Sequence, residues 1–181
     1  MDKKEILYWL DRYSEQGVCD KETELRLRKR IKSNKKLTKA DLLEIIAWKF
    51  TGRLLGRRKL FSNMVNKLSE NYIQNITEEA LNLSSPYEAV SKLREIKGVG
   101  VALASCILAF NNPKDYCVYD IHLYDELFGT NAKTRPKDMF SNSKYYLDIL
   151  EKLRNLSTKF NMNARDIEKA LFQKNYSESN H

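Results

Sequence analysis

Three cysteines, three prolines and six glycines in 181 residues leave little with which to staple the chain or to break it. Cys19, Cys106 and Cys117 are too few for a disulfide framework, and Cys106 falls inside an apolar stretch. That usage predicts a reducing compartment, so an intracellular protein, cytoplasmic or nucleoid-associated. No apolar run approaches the length of a membrane span, and the lysine-rich start lacks the hydrophobic region of a signal peptide. Strand patterns, internal repeats and low-complexity linkers are missing too. Membrane insertion, secretion and repeat architecture are thereby set aside.

What remains is helical periodicity almost throughout, which predicts an all-α fold. The first helix spans residues 3–16, with Ile6, Leu7, Leu10 and Tyr13 on one face and Gly17 as its stop. A second, mostly charged helix runs from Asp20 to about Ser33. Thr38 opens the third, with Asp41 at the capping-box position, ahead of LLEIIAWKF. Leu54 to Leu68 carries apolar residues at three-to-four spacing. Ser85-Pro86-Tyr87-Glu88 joins a serine cap, a proline at the first position and an acid at the third, starting a helix over Pro86–Ile96. The wholly apolar or small stretch Val101–Phe110 predicts a buried helix. Asp120 then opens Ile121–Phe128, and TNAKTRPKDMFSN is a polar connection. A helix over 143–159 and a last one from Asn163 to about Lys174 complete the chain, with a frayed tail.

Charge is unevenly spread. Lysine and arginine number 32 against 24 acids, a net charge of +8. Residues 21–60 alone hold fourteen basic and four acidic residues, a net +10. Each cation taken singly fits a solvated helix face. Taken as a block they form a phosphate-tracking surface, and TGRLLGRRK, with Arg53, Arg57, Arg58 and Lys59, is the part expected nearest DNA. Trp48 and Phe50 supply aromatics beside it, Trp48 for a core or for a base pocket.

One stretch organises the chain: LREIKGVGVALASCILAFNNPKDYCVYDIHLYDELF, residues 93–128. It predicts a helix, a glycine turn at Gly98-Val99-Gly100, an apolar helix, a short loop and an aspartate that opens another helix. Glycines permit positive φ and close approach of another backbone or a phosphate. The helix N-terminus beside them offers unpaired N–H groups, which suit an anion. LREIKGVG followed by VYDIH resembles the signature of the endonuclease III-like helix-hairpin-helix DNA glycosylases, in which L-P-G-V-G precedes V-D-x-H. Lys97 replaces the usual proline, Asp120 and His122 fill D-x-H, and twenty residues separate Gly100 from Asp120, as in that family.

The resemblance implies a single two-lobed helical domain over 1–181, with the hairpin motif and its aspartate at 86–128. It implies double-stranded DNA as partner, no membrane, and action as a monomer. Lys97, Gly98, Val99, Gly100 and Val101 become DNA contacts, and the carbonyls of Gly98 and Gly100 can hold a monovalent cation when DNA is bound. Asp120 becomes the catalytic carboxylate, and Trp48, Tyr119 and His122 become candidates for the substrate pocket. Some family members carry a four-cysteine iron–sulfur cluster near the C-terminus. No cysteine follows Cys117, so no cluster or other cofactor is expected.

Bifunctional relatives use a lysine two residues after the second hairpin glycine, and that position is Ala102. The expected activity is therefore that of a monofunctional glycosylase. It flips a damaged or modified base, hydrolyses its N-glycosidic bond with water and has no lyase step. Lys97 and Lys49 are the other amines in view. Plainer readings stand beside this one. The glycines also suit an ordinary helix–helix turn, Asp120 also suits a simple N-cap, and His122 suits the interior. A non-catalytic hairpin that only binds DNA, or a structural bundle with an incidental basic face, would carry the same motif.

Overall fold

The computed structural model describes residues 1–15 and 20–179, without the side chains of residues 14, 15 and 53. It is all-helical, with no strand among the described residues. The helices are α1 (Lys3–Glu15), α2 (Lys21–Asn34), α3 (Lys39–Lys49), α4 (Leu55–Asn66), α5 (Glu70–Asn82), α6 (Pro86–Leu93), α7 (Val101–Asn111), α8 (Ile121–Phe128), α9 (Lys144–Phe160) and α10 (Ala164–Ser179). A single 3₁₀ turn at Gly52–Leu54 leads into α4. No described helix is long and apolar enough to cross a membrane.

Caps set most of the starts. Thr38 Oγ1 accepts the Asp41 N–H at 3.1 Å while Asp41 Oδ2 accepts the Thr38 N–H at 3.0 Å, the reciprocal box expected from the sequence. Ser85 Oγ accepts the Glu88 N–H, with Pro86 in the first turn. α5 is absent from the sequence reading although its signals exist. Ser69 caps it, and Ile73, Ile76, Thr77 and Ala80 form its buried face. Two boundaries also differ. α6 ends at Leu93 instead of Ile96, because the chain tightens into the hairpin through successive short-range turns. α10 continues to Ser179 instead of ending near Lys174. The expected stop of the first helix at Gly17, and Cys19, lie outside the described residues.

The helices pack in two groups. α1 lies along α10, which also packs on α8 and α9, so both ends of the described chain share one group. α2, α3 and α7 pack together in the other, with α4 and α5 on α3 and α6 on α5. α7 is the centre: Val101 and Leu103–Phe110 are all buried. One continuous apolar core spans both groups.

A buried charge cluster stitches them. Arg165 of α10, 1% exposed, pairs with Glu24 of α2 at 2.8 Å and with Glu168. Lys169 reaches Glu24 at 3.2 Å. The Arg165 guanidinium lies 5.6 Å from the centre of the Trp48 ring. Burial alone would raise the Glu24 carboxyl, but the Arg165 charge and hydrogen bonds, with Lys169, hold it down at about 2. Glu168 goes the other way, because burial outweighs Arg165 and the Val118 N–H.

Candidate functional site

The turn after α6 is built as a hairpin. The Ile96 carbonyl accepts the Val99 N–H at 2.9 Å, and Leu93, Ile96 and Val99 are buried beneath it. Gly98 has φ +99°, and a Cβ there would stand 3.2 Å from Met64 Cβ of α4. Both the backbone angle and the close approach of α4 therefore call for glycine. Gly100 differs: its φ is −88° and a Cβ would meet nothing within 4 Å. Its freedom faces open space, in front of the first turn of α7. No side chain caps that helix, so its leading N–H groups point outward.

Asp120 is brought to the same place by the extended segment 116–120. Val118 N–H donates to Glu168 Oε2 at 3.1 Å and Tyr119 N–H to Ser105 Oγ at 2.8 Å. Tyr146 OH donates to the Cys117 carbonyl at 3.1 Å. These bonds run to α10, α7 and α9, so the segment's position is fixed from three sides. Asp120 Oδ1 then caps α8 by accepting the His122 N–H at 3.0 Å. Its other oxygen, Oδ2, accepts from Lys49 Nζ at 3.2 Å, and the same amine donates to the Tyr119 carbonyl at 2.9 Å. One carboxylate thus has two functions: one oxygen holds a helix end and the other faces a cation.

That cation and carboxylate share a wall of a pocket of about 380 Å³. Its floor is apolar, from Phe50, Phe61, Val101, Leu103, Ile121 and Phe140. Gly100 and Ala102 bring in the start of α7, and Leu54 and Arg57 the start of α4. Arg135 closes another side, steered by Asp125, whose two oxygens accept its Nε–H at 2.8 and 2.9 Å. Lys49, Arg57 and Arg135 therefore converge with one ionisable carboxylate on a mostly apolar cavity. Such a cavity suits a planar aromatic ligand attached to a polyanion. Wider clefts of about 520 and 420 Å³ around Asp115 and Arg154 lie away from the hairpin.

The expected site residues divide. Asp120, Tyr119, Gly100, Val101 and Arg57 line the pocket. Tyr119 does so from a buried position, its hydroxyl donating to the Met139 carbonyl at 2.9 Å, and burial pushes its phenol well above the usual range. Lys97, Arg58 and Lys59 are exposed, Gly98 is half-buried, and Val99 is in the core. The side chain of Arg53 lies outside the described residues. Trp48 and His122 stand outside the pocket. Trp48 turns into the core, where its ring meets Phe110 edge-on at 4.9 Å and its Nε1–H donates to the Asp20 carbonyl at 3.0 Å. His122 turns toward α10, its Nδ1 2.9 Å from Asn175 Oδ1 and its ring against Phe172 and Tyr176.

Arg135 and Phe140 escaped the sequence reading because they sit in the polar connection after α8, where no periodicity marks them. Of the basic block, Arg26 and Arg30 spend their charge on Glu44, and Arg30 also on Asp41 at 3.0 Å. No group of three or more His, Cys, Asp or Glu among the described residues could hold a metal. The Gly100 carbonyl accepts the Ala104 N–H at 3.0 Å, which leaves one lone pair for any cation at the hairpin. Comparison of the chain with protein-family models, with curated proteins and with solved structures gives no match in any of the three.

Proposed function

We propose that this chain is a DNA base-excision glycosylase of the endonuclease III-like helix-hairpin-helix kind, and that it is monofunctional. The observation that carries the reading is the pocket beside Asp120, lined on one side by the hairpin residues Gly100 and Val101 and mostly apolar. In this account the two helical groups are the two lobes of that fold. DNA lies across Gly98–Val101, where N–H groups at the start of α7 take a phosphate as a backbone clamp that does not read sequence, the Val99 N–H being held by the Ile96 carbonyl. A monovalent cation on the Gly98 and Gly100 carbonyls would add positive charge at the same phosphate. Arg57, Arg58, Lys59 and Arg53 follow the strand, and the protein acts as a monomer inside the cell.

A target base leaves the stack, at a cost of a few kcal/mol, and enters the cavity between Phe50, Phe61 and Phe140. Breaking its N-glycosidic bond builds positive charge on the sugar, as in glycoside hydrolysis. The Asp120 carboxylate stands where it can stabilise that charge and orient water onto C1′. With alanine at 102 the hairpin helix supplies no amine, so water ends the reaction and the strand stays whole. A roomy cavity at Asp120 favours excision over a hairpin that only holds DNA, since a pure holding module needs no space there.

The test is a set of duplex oligonucleotides bearing damaged, mismatched and modified bases, treated with protein and then alkali. The proposal expects alkali-dependent breaks at one class of base. Salt-dependent DNA binding with no base release from any substrate would instead assign the chain to the non-catalytic modules.

A further inference from the structure

Two aromatic pairs line the cavity beside Asp120. The rings of Phe50 and Phe61 have centres 5.2 Å apart, and those of Tyr119 and Phe140 lie 5.4 Å apart. Stacking on such rings accepts any base, so discrimination falls to the polar side chains. Among the described residues of the lining these are Lys49, Arg57, Tyr119, Asp120 and Arg135. Most are committed elsewhere. Asp120 gives one oxygen to the α8 cap and the other to Lys49, whose amine also holds the Tyr119 carbonyl. The Tyr119 hydroxyl donates to the Met139 carbonyl, and Arg57 is exposed on the first turn of α4.

Arg135 is different because it is both held and left with donors to spare. Its backbone N–H donates to the Asn131 carbonyl at 3.0 Å, which fixes the turn after α8. Asp125 grips one edge of the guanidinium, taking Nε–H at 2.8 and 2.9 Å and pairing with Nη2 at 2.7 Å. That carboxylate is 6% exposed and also accepts the Thr130 hydroxyl at 2.7 Å. An arginine fork carries more N–H donors than one carboxylate can take, and among the described residues no acceptor engages Nη1. A single helix therefore sets both charges, Asp120 as its cap and Arg135 through Asp125.

We propose that Arg135 is the specificity-determining residue of the cavity. It donates to a lactam carbonyl oxygen of the flipped base, and it selects bases that depart as anions, such as uracil and hypoxanthine, over purines made cationic by N-alkylation. The inference rests on the base-excision reading and names its substrate class. When the C1′–N bond breaks, its electron pair leaves with the base and spreads onto the carbonyl oxygen, where Arg135 meets it. Water supplies the new C1′–O bond, and its lost proton ends on the base. An N-alkylated cationic purine leaves as a neutral base and brings no negative charge to the guanidinium. An exocyclic amine set against Arg135 would leave donors on both sides unpaired.

The experiment reads the cavity without needing hydrolysis. Duplexes carry uracil, hypoxanthine or N7-methylguanine on a sugar fluorinated at C2′, which disfavours the sugar cation and keeps the base attached. Wild-type protein should bind the uracil and hypoxanthine duplexes at least about tenfold more tightly than the N7-methylguanine duplex. In Arg135→Gln the preference should shrink to about threefold or less, with affinity for unmodified duplex unchanged, and Arg135→Lys should fall between. If Arg135→Gln melts lower because Asp125 has lost its cation, Asp125→Asn/Arg135→Gln removes the stranded charge and should show the same loss of preference. Equal binding of all three duplexes by wild type, or a preference that survives in both variants, overturns the inference. Base release from the unfluorinated duplexes is scored separately, with spontaneous loss subtracted. A binding preference without release refutes only excision, and release of N7-methylguanine as fast as uracil refutes only the role of Arg135.

Discussion

Replacing Arg165 by leucine should be among the most damaging single changes available. The guanidinium is 1% exposed, and it meets Glu24 through two bonds of 3.1 and 2.8 Å as well as pairing with Glu168. Removing one partner of a buried charge cluster strands the others, at about 3–5 kcal/mol. An independent figure comes from Glu24, whose carboxyl sits at about 2 against an ordinary 4.5, on the order of 3 kcal/mol of stabilisation of its ionised form. The sign follows from the depressed value. In the wild type that contribution is complete above about pH 4.5 and fades as pH falls towards 2. In Arg165→Leu burial dominates both Glu24 and Glu168, and Lys169 is left as the near cation for Glu24. Both carboxyls then shift upward, and protonation relieves the cost as the solution is acidified. Urea unfolding followed by tryptophan fluorescence at pH 7.5 and pH 5 reads both effects. Loss should be several kcal/mol at pH 7.5 and visibly smaller at pH 5. A loss below about 1 kcal/mol, or one equal at both pH values, would refute the reasoning.

Other expectations concern the hairpin and the carboxylate. Gly98→Ala should cost about 1–3 kcal/mol in unfolding free energy, because its φ of +99° and the 3.2 Å approach to Met64 both resist a side chain. Gly100→Phe should melt close to wild type, since a Cβ there meets open space, yet bind duplex DNA at least tenfold more weakly in a fluorescence titration. Wild-type affinity for duplex should fall steeply between 50 and roughly 200 mM salt and vary little with sequence, because phosphates carry the binding. Asp120→Asn should keep the α8 cap and lose less stability than Asp120→Ala, which gives up the cap, at about 1 kcal/mol, and the oxygen facing Lys49 as well, measured by thermal melting.

Local signals carried the fold further than the site. The capping box at Thr38, the serine cap at Ser85, the apolar run of α7 and the glycine turn are each written within a few neighbouring residues, and so is Asp120 as a helix cap. α5 is written in the same local terms, a Ser69 cap ahead of buried positions 73, 76, 77 and 80. The site is a different matter. Lys49 meets Asp120 across 71 positions and Arg165 meets Glu24 across 141, and no periodic pattern reports a pair so far apart. Arg135 depends on Asp125, ten residues away on the far side of a turn. Trp48 and Lys49 adjoin in sequence but point to opposite surroundings, one into the core and one into the cavity, because neighbours on a helix differ by about a hundred degrees in direction. Both residues are named in the sequence reading, and the cavity holds the lysine.

The central claim is that the charge of Asp120, beyond its capping oxygen, drives release of a base. Single-turnover base release should be measured for wild type and Asp120→Asn on whichever modified oligonucleotide the wild type processes, with duplex affinity recorded in parallel. The account predicts that the asparagine variant binds at least as tightly as wild type and releases base at least a hundredfold more slowly, the scale on which single electrostatic stabilisers act. Base release at the wild-type rate would leave Asp120 as a helix cap alone and contradict the mechanism.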